Sequence, residues 1–120
     1  RFMLAVKTQL KGVNGISTYI FDEIDAGISG VTARTVAEKF IAISKDTQII
    51  AVSHLPQVCA AASTQFLISK SDVNGEKTVT TIKRLSKQER VDEIIRLTGS
   101  IATDAAREHA EELLAQFGNF

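Results

Sequence analysis

Apolar positions along the chain change period several times, and each change marks a boundary between predicted elements. Met3, Val6 and Leu10 share one helical stripe, which Gly12 and Gly15 are expected to stop. The run Ile16-Ser17-Thr18-Tyr19-Ile20-Phe21 is short, β-branched and aromatic, and ends in two acids, so it predicts a buried strand. Ser29-Gly30 opens a helix in which Ala33, Val36, Ala37, Phe40 and Ile41 repeat at helical spacing. Thr47-Gln48-Ile49-Ile50-Ala51-Val52 predicts a second buried strand, running into Ser53-His54. Strand, helix and strand in that order make a βαβ unit, whose two strands are expected to be parallel.

The second half has a different rhythm. A short helix is expected after Pro56, then two β-prone runs over 65–70 and 77–83, separated by Asp72-Val73-Asn74-Gly75-Glu76. Asn-Gly between two such runs predicts a hairpin. Ser86 with Glu89 three residues later forms a capping box for a helix carrying Val91, Ile94 and Ile95, which Gly99 ends. A final helix places Ala106, Ala110, Leu113, Leu114 and Phe117 on one face, with Gly118 as its stop. There are no repeats, low-complexity segments or internal linker, so residues 1–120 are expected to form a single partial α/β domain.

Composition narrows the function. With 44% hydrophobic residues the chain can build a real core, and its 14 Lys plus Arg balance its 14 Asp plus Glu. A segment that gripped DNA by itself would carry a basic face, which this neutral balance argues against. Cys59, the one cysteine, has no intrachain disulfide partner; beside Val58 and Ala60 it is expected to be a small buried hydrophobe. No apolar run reaches membrane-spanning length, and a reducing cytoplasmic setting is expected. Arg1-Phe2-Met3-Leu4 starts in the manner of mid-helix, without a cap, so the chain reads as an excised piece. Such a piece is expected to expose the sheet face that its missing part covered.

Tyr19-Ile20-Phe21-Asp22-Glu23 carries the sharpest chemical signal. Two carboxylates stand at the carboxyl end of a hydrophobic strand, where open α/β sheets bind ligands. Successive strand side chains point to opposite faces, so the two acids can serve one site only if the chain bends there. In nucleoside triphosphatases the first acid of such a pair holds Mg²⁺, and the second polarises the water that attacks the γ-phosphate. An acidic pair that merely caps the loop before Ser29 is the bland alternative. His54 weighs against it, because it ends the neighbouring strand at the same edge, where an imidazole can reach a γ-phosphate or orient water.

Phe21-Asp22-Glu23-Ile24-Asp25-Ala26-Gly27-Ile28-Ser29-Gly30, with Ser53-His54-Leu55-Pro56-Gln57-Val58, resembles the RecN DNA-repair ATPases, relatives of SMC proteins. The resemblance implies that Asp22 is the Walker B acid, holding Mg²⁺ through water, and Glu23 the catalytic base. It implies that Asp25, Ala26, Gly27 and Ser29 belong to the D-loop that crosses a head dimer, and that His54 is the switch histidine. Arg1-Phe2-Met3-Leu4-Ala5 resembles the helix after the ABC signature, and the stretch from Gln88 to Ile94 and the last helix are also similar to RecN. The implied fold is the C-terminal lobe of an ABC-type ATPase head: parallel strands with flanking helices plus an antiparallel hairpin. The implied partners are the remainder of its own head, a second head in a homodimer, and DNA ends at double-strand breaks, with ATP and Mg²⁺ as cofactors, in the bacterial cytoplasm at the nucleoid.

Departures from the family pattern matter equally. No Gly-rich loop with Lys-Ser/Thr occurs, and the signature serine and glycines are missing, so the Walker A and signature motifs are both absent. Ser29 stands where the wider ABC pattern ends its D-loop in Asp. The chain alone is therefore expected neither to bind nor to hydrolyse ATP, and to contribute to an ATPase only within the intact protein. Two other readings compete. Asp22-Glu23-Ile24-Asp25 has the acid spacing of a DEAD-box helicase, but Ser53-His54 replaces the Ser-Ala-Thr those proteins carry after the next strand. The third reading is a non-catalytic α/β interaction module with vestigial acids.

The remaining features are expected to be structural. Lys83, Arg84, Lys87 and Arg90 are interleaved with Glu89, Asp92 and Glu93, which predicts a solvated mixed-charge helix. His109 among Glu108, Glu111 and Glu112 reads as a surface residue without metal spacing. The phenylalanines are expected at core positions, not on a base-stacking platform.

Overall fold

The computed structural model describes residues 17–24, 27–73 and 77–119. The helix expected around Met3, Val6 and Leu10, the Asn74-Gly75 reversal, and Asp25 and Ala26 lie outside these residues. The fold is α/β and forms two compact units, Arg1–Ala61 and Ala62–Phe120.

In the first unit, β1 (Thr18–Phe21), α1 (Gly30–Ser44), β2 (Gln48–Ala51) and α2 (Pro56–Ala61) follow one another. The strands pair in parallel from Thr18↔Gln48 to Phe21↔Ala51, as the βαβ reading requires. Two further 2.9 Å bonds extend the ladder, from Gln48 N–H to the Ser17 carbonyl and from Val52 N–H to the Phe21 carbonyl. Val36 and Phe40 of α1 and Val58 of α2 form a buried cluster on which Phe21, Ile24, Ile28, Ile49 and Leu55 pack. The Phe21 and Phe40 rings lie 4.9 Å apart at 39°, a tilted arrangement preferred over a face-to-face sandwich. Ala33, Val36, Ala37 and Phe40 are buried as their spacing predicts; Ile43 joins them, while Ile41 is half-buried.

The expectation of buried strands holds for one face only. Phe21 and Ile49 reach the α1 cluster, whereas Ile20 and Ile50 remain 71% and 46% exposed. Strand side chains alternate between faces, so a helix on one side leaves the other apolar row uncovered.

In the second unit, β3 (Phe66–Val73) and β4 (Lys77–Arg84) form the antiparallel hairpin, followed by α3 (Lys87–Leu97) and α4 (Asp104–Gln116). Asp72 and Val73, expected in the reversal, instead pair with Thr78 and Lys77. The capping box is present: the Ser86 hydroxyl accepts from Glu89 N–H at 3.4 Å, and the Glu89 carboxylate accepts from Ser86 N–H at 2.9 Å. Glu89 also accepts from the Lys83 ammonium, which joins the hairpin to α3. Gly99, with φ +69°, follows α3 in the left-handed conformation that suits glycine. Thr103 opens α4 by accepting from Ala106 N–H at 3.2 Å. The two helices pack on each other, and Val91, Ile94, Ile95, Ala110, Leu113 and Leu114 are buried.

Two expectations fail in this unit. Arg90 is not on a solvated face: it is 7% exposed, because it lies one helical turn before Ile94 on the buried stripe. Its guanidinium donates to the Ala62 carbonyl at 2.6 Å and the Asn119 carbonyl at 3.4 Å, and burial pulls its pKa below the usual arginine value. Nor does Phe66 sit in the core. It is 61% exposed on the hairpin face that also carries Ile68 and Ile82, because strand alternation turns this row away from Leu67. No described helix is long and apolar enough to cross a membrane.

Candidate functional site

Phe21 and Ala51 are register partners at the carboxyl ends of β1 and β2, and the Val52 to Phe21 bond is the last rung of the ladder. Asp22 and Val52 therefore leave the sheet at the same level. Asp22 and Glu23 are exposed. Among the described residues Glu23 is the one non-glycine with positive φ, at +49°. This left-handed conformation is uncommon for a residue with a Cβ and clusters at functional sites. It also supplies the bend that two adjacent carboxylates need in order to serve one edge.

Beyond the bend the loop is held by apolar contacts. Ile24 and Ile28 pack on the Val36–Phe40–Val58 cluster, and Gly27 between them takes φ +71°, which a Cβ would disfavour. Ser29 occupies the N-cap position of α1, with φ −82° and ψ 161°, and its carbonyl accepts from Ala33 N–H at 2.9 Å. Its hydroxyl makes no bond to the first-turn N–H groups. It lies 3.3 Å from Thr32 Oγ1 instead.

The histidine side of the edge is built in the same manner. Ser53 Oγ accepts from Leu55 N–H at 3.1 Å, closing a small hydroxyl-capped turn. The Ser53 carbonyl accepts from the half-buried Cys59 thiol at 3.5 Å, so this cysteine fixes a loop besides filling space. Leu55 is anchored in the apolar cluster. Pro56 then starts α2, where its missing N–H has no intrahelical partner to lose. His54, between these two anchors, is exposed.

The parallel register thus brings Asp22, Glu23 and His54 to one edge of one strand pair, with Gly27 and Ser29 on the loop that leaves it. Asp25 and Ala26 lie outside the described residues. Among the described residues no three His, Cys, Asp or Glu side chains gather in a metal cage. Asp22 offers one carboxylate, a hard oxygen ligand, which suits Mg²⁺, a cation commonly shared between one or two carboxylates, water and substrate phosphates. The sequence names Ser53 and Gln57 only as parts of the histidine motif and Cys59 only as a small buried hydrophobe, so the turn that Ser53 closes and the thiol bond to its carbonyl are new. A serine two residues before a Leu-Pro pair is a turn signal that marks the first; nothing local marks the second.

No protein-family model matches the chain. Curated relatives do. DNA repair protein RecN of Halalkalibacterium halodurans is 44% identical over 115 residues, 95% of this chain and 20% of that protein. RecN of Bacillus subtilis is 43% identical over 117 residues, 97% of this chain and 20% of that protein. The chain is RecN-like over nearly its whole length. RecN of Deinococcus radiodurans is also similar, 41% identical over 115 residues, 96% of this chain and 20% of that protein. The chain spans about a fifth of the length of these RecN proteins. A solved structure, from work on the structural biochemistry of ATP-driven dimerization and DNA-stimulated activation of SMC ATPases, matches with a TM-score of 0.60. It is 24% identical and covers 84% of this chain and 59% of that chain, a likeness of fold. The RecN resemblance carried by residues 21–30 and 53–58 therefore extends well beyond those motifs.

Proposed function

We propose that this chain is a segment of the ATPase head of a RecN-like double-strand break repair protein, both of its units belonging to one partial head. The observation that carries the reading is the register Phe21↔Ala51, which brings Asp22-Glu23 and Ser53-His54 to the same sheet edge. In this reading Asp22 holds Mg²⁺ through water, and the bound ion offsets charge on the phosphates of ATP. Glu23 orients the attacking water and takes its proton. His54 hydrogen-bonds the γ-phosphate or that water. The loop bearing Asp25, Ala26, Gly27 and Ser29 is the D-loop facing a second head. The Gly-rich loop and Lys that cradle the phosphates are absent from this sequence, so the remainder of the same head supplies them, and the segment alone neither binds nor hydrolyses ATP. The intact protein works as a homodimer on DNA in the bacterial cytoplasm, at the nucleoid.

The test is nucleotide binding and steady-state hydrolysis by the full-length protein and three variants. Glu23→Gln is expected to bind ATP normally and lose about 10²–10⁴ in rate. His54→Ala follows the same pattern, while Asp22→Asn weakens Mg²⁺-dependent binding as well as turnover. Parental hydrolysis by Glu23→Gln overturns the assignment of Glu23 and favours a non-catalytic module.

A further inference from the structure

Gln57 lies in the first turn of α2, and its side chain reaches the start of α1: Nε2 stands 3.9 Å from where a Cβ on Gly30 would be. Its Oε1 is buried and has no hydrogen-bond partner among the described residues. A buried amide oxygen without a donor is rare and destabilising. The start of α1 has the opposite deficit. The first N–H groups of a helix need outside acceptors, most often the N-cap side chain. Ser29 holds that position without bonding them, its hydroxyl turned to Thr32 Oγ1, and the first turn contains no acid. The amide whose oxygen needs a donor thus adjoins, through its Nε2 end, a helix start whose N–H groups lack a side-chain acceptor. The two ends of a glutamine amide have nearly the same shape, so a half-turn about its last bond exchanges them and brings Oε1 beside Gly30.

We infer that Gln57 is a positioning residue that caps the N-terminus of α1 from α2, tying the His54 segment to the loop that carries Asp22, Glu23 and Ser29. The cap explains why Ser29 is not engaged by its own helix. It also gives a two-position link between the halves of the edge: the amide either caps α1 or leaves its oxygen unpaired, so displacing one loop disturbs the other. The effect on hydrolysis rests on the function proposed above; the cap itself does not.

Two readouts on the full-length protein separate these layers. Hydrogen exchange over residues 29–33 reads the cap directly. In the parent the first-turn amides of α1 are expected to be protected. Gln57→Leu, similar in volume but without an acceptor, is expected to speed their exchange about fivefold, the usual worth of a cap. Gln57→Glu keeps an acceptor and is expected to retain parental exchange. Turnover should fall about 10²-fold in Gln57→Leu, the scale of small misplacements at a catalytic site. ATP affinity should be unchanged, and Gln57→Glu should recover most of the rate. Unprotected first-turn amides in the parent overturn the cap whatever the variants do, including any that fail to fold. Parental exchange in Gln57→Leu overturns it too, as does Gln57→Glu behaving like Gln57→Leu. If the exchange pattern holds while Glu23→Gln hydrolyses at the parental rate, the cap stands and the catalytic reading of the edge falls.

Discussion

Ile24 and Leu55, the residues immediately after Glu23 and His54, pack against one buried cluster, formed by Val36, Phe40 and Val58. The acid loop and the histidine loop come from different strands, yet their anchors share one floor. Protein interiors are close-packed and deform little, so this floor sets the position of both loops at once.

Val58→Ala removes two methyl groups from that floor. A cost of about 1–3 kcal/mol is expected from lost burial and the residual cavity. Hydrogen exchange should show it as easier opening of the loops on both sides, around residues 21–24 and 53–58. Loosening confined to α2 would contradict a shared floor.

Glu23 offers a cleaner separation of backbone from chemistry. Its φ of +49° is a conformation in which a Cβ is strained and glycine is not. Glu23→Ala keeps the strain and loses the carboxylate, whereas Glu23→Gly loses both. The glycine variant is expected to be the more stable of the two by about 1 kcal/mol, measured by local hydrogen exchange, while both lack turnover. Equal stability would mean that the bend carries no strain.

How far the sequence reached can be judged at particular residues. The parallel pair was legible because β-branched runs flank a helix with a clear apolar stripe. The start of α3 was legible because Ser86 and Glu89 are a local signal. The backbone of Glu23 was not, since nothing in Asp-Glu announces a left-handed turn. Arg90 was misread because charge patterning says nothing about which face a tertiary neighbour covers, and the carbonyls that accept its hydrogen bonds belong to Ala62 and Asn119, both distant in sequence. Phe66 was misread because both hairpin faces carry apolar residues, and alternation alone does not say which is covered.

Arg90 accordingly predicts a large effect from a change that looks mild. Lysine lacks the planar fork that spans two acceptors, so Arg90→Lys should leave at least one of the Ala62 and Asn119 carbonyls without its donor. A loss of about 1–3 kcal/mol is expected, seen as faster amide exchange in α3 and near the end of α4. A silent Arg90→Lys would show that either carbonyl finds water instead.

Glu89 gives a pH signature. The Lys83 ammonium, the Ser86 N–H and the Ser86 hydroxyl lower its carboxyl pKa from the ordinary 4.5 to about 2. A pKa depressed in the fold stabilises above the unfolded value, and that contribution is lost as pH falls through the folded one. Relative to Glu89→Gln, the parent should hold a constant advantage above pH 4.5 and lose it progressively down to about pH 2. Added salt should shrink the advantage at every pH, because Lys83 is mostly solvent-exposed. A parent no more stable than Glu89→Gln above pH 4.5 would assign the effect to the capping box alone, which glutamine can also make.

The two ladders also differ in when they can form. Val73 pairs with Lys77, so β3 and β4 can zip from residues that are near neighbours in the chain, an event of microseconds for hairpins in general. Thr18 and Gln48 are 30 residues apart, and their strands run in parallel, so no short reversal can start them. That ladder must wait until α1 has brought its ends together, and the closure is paid for in chain entropy before any rung rewards it. The sheet edge that carries Asp22, Glu23 and His54 is therefore a late product of folding. Until it closes, Ile20 and Ile50 are unpaired as well as uncovered, and the chain is most open to wrong partners during that interval.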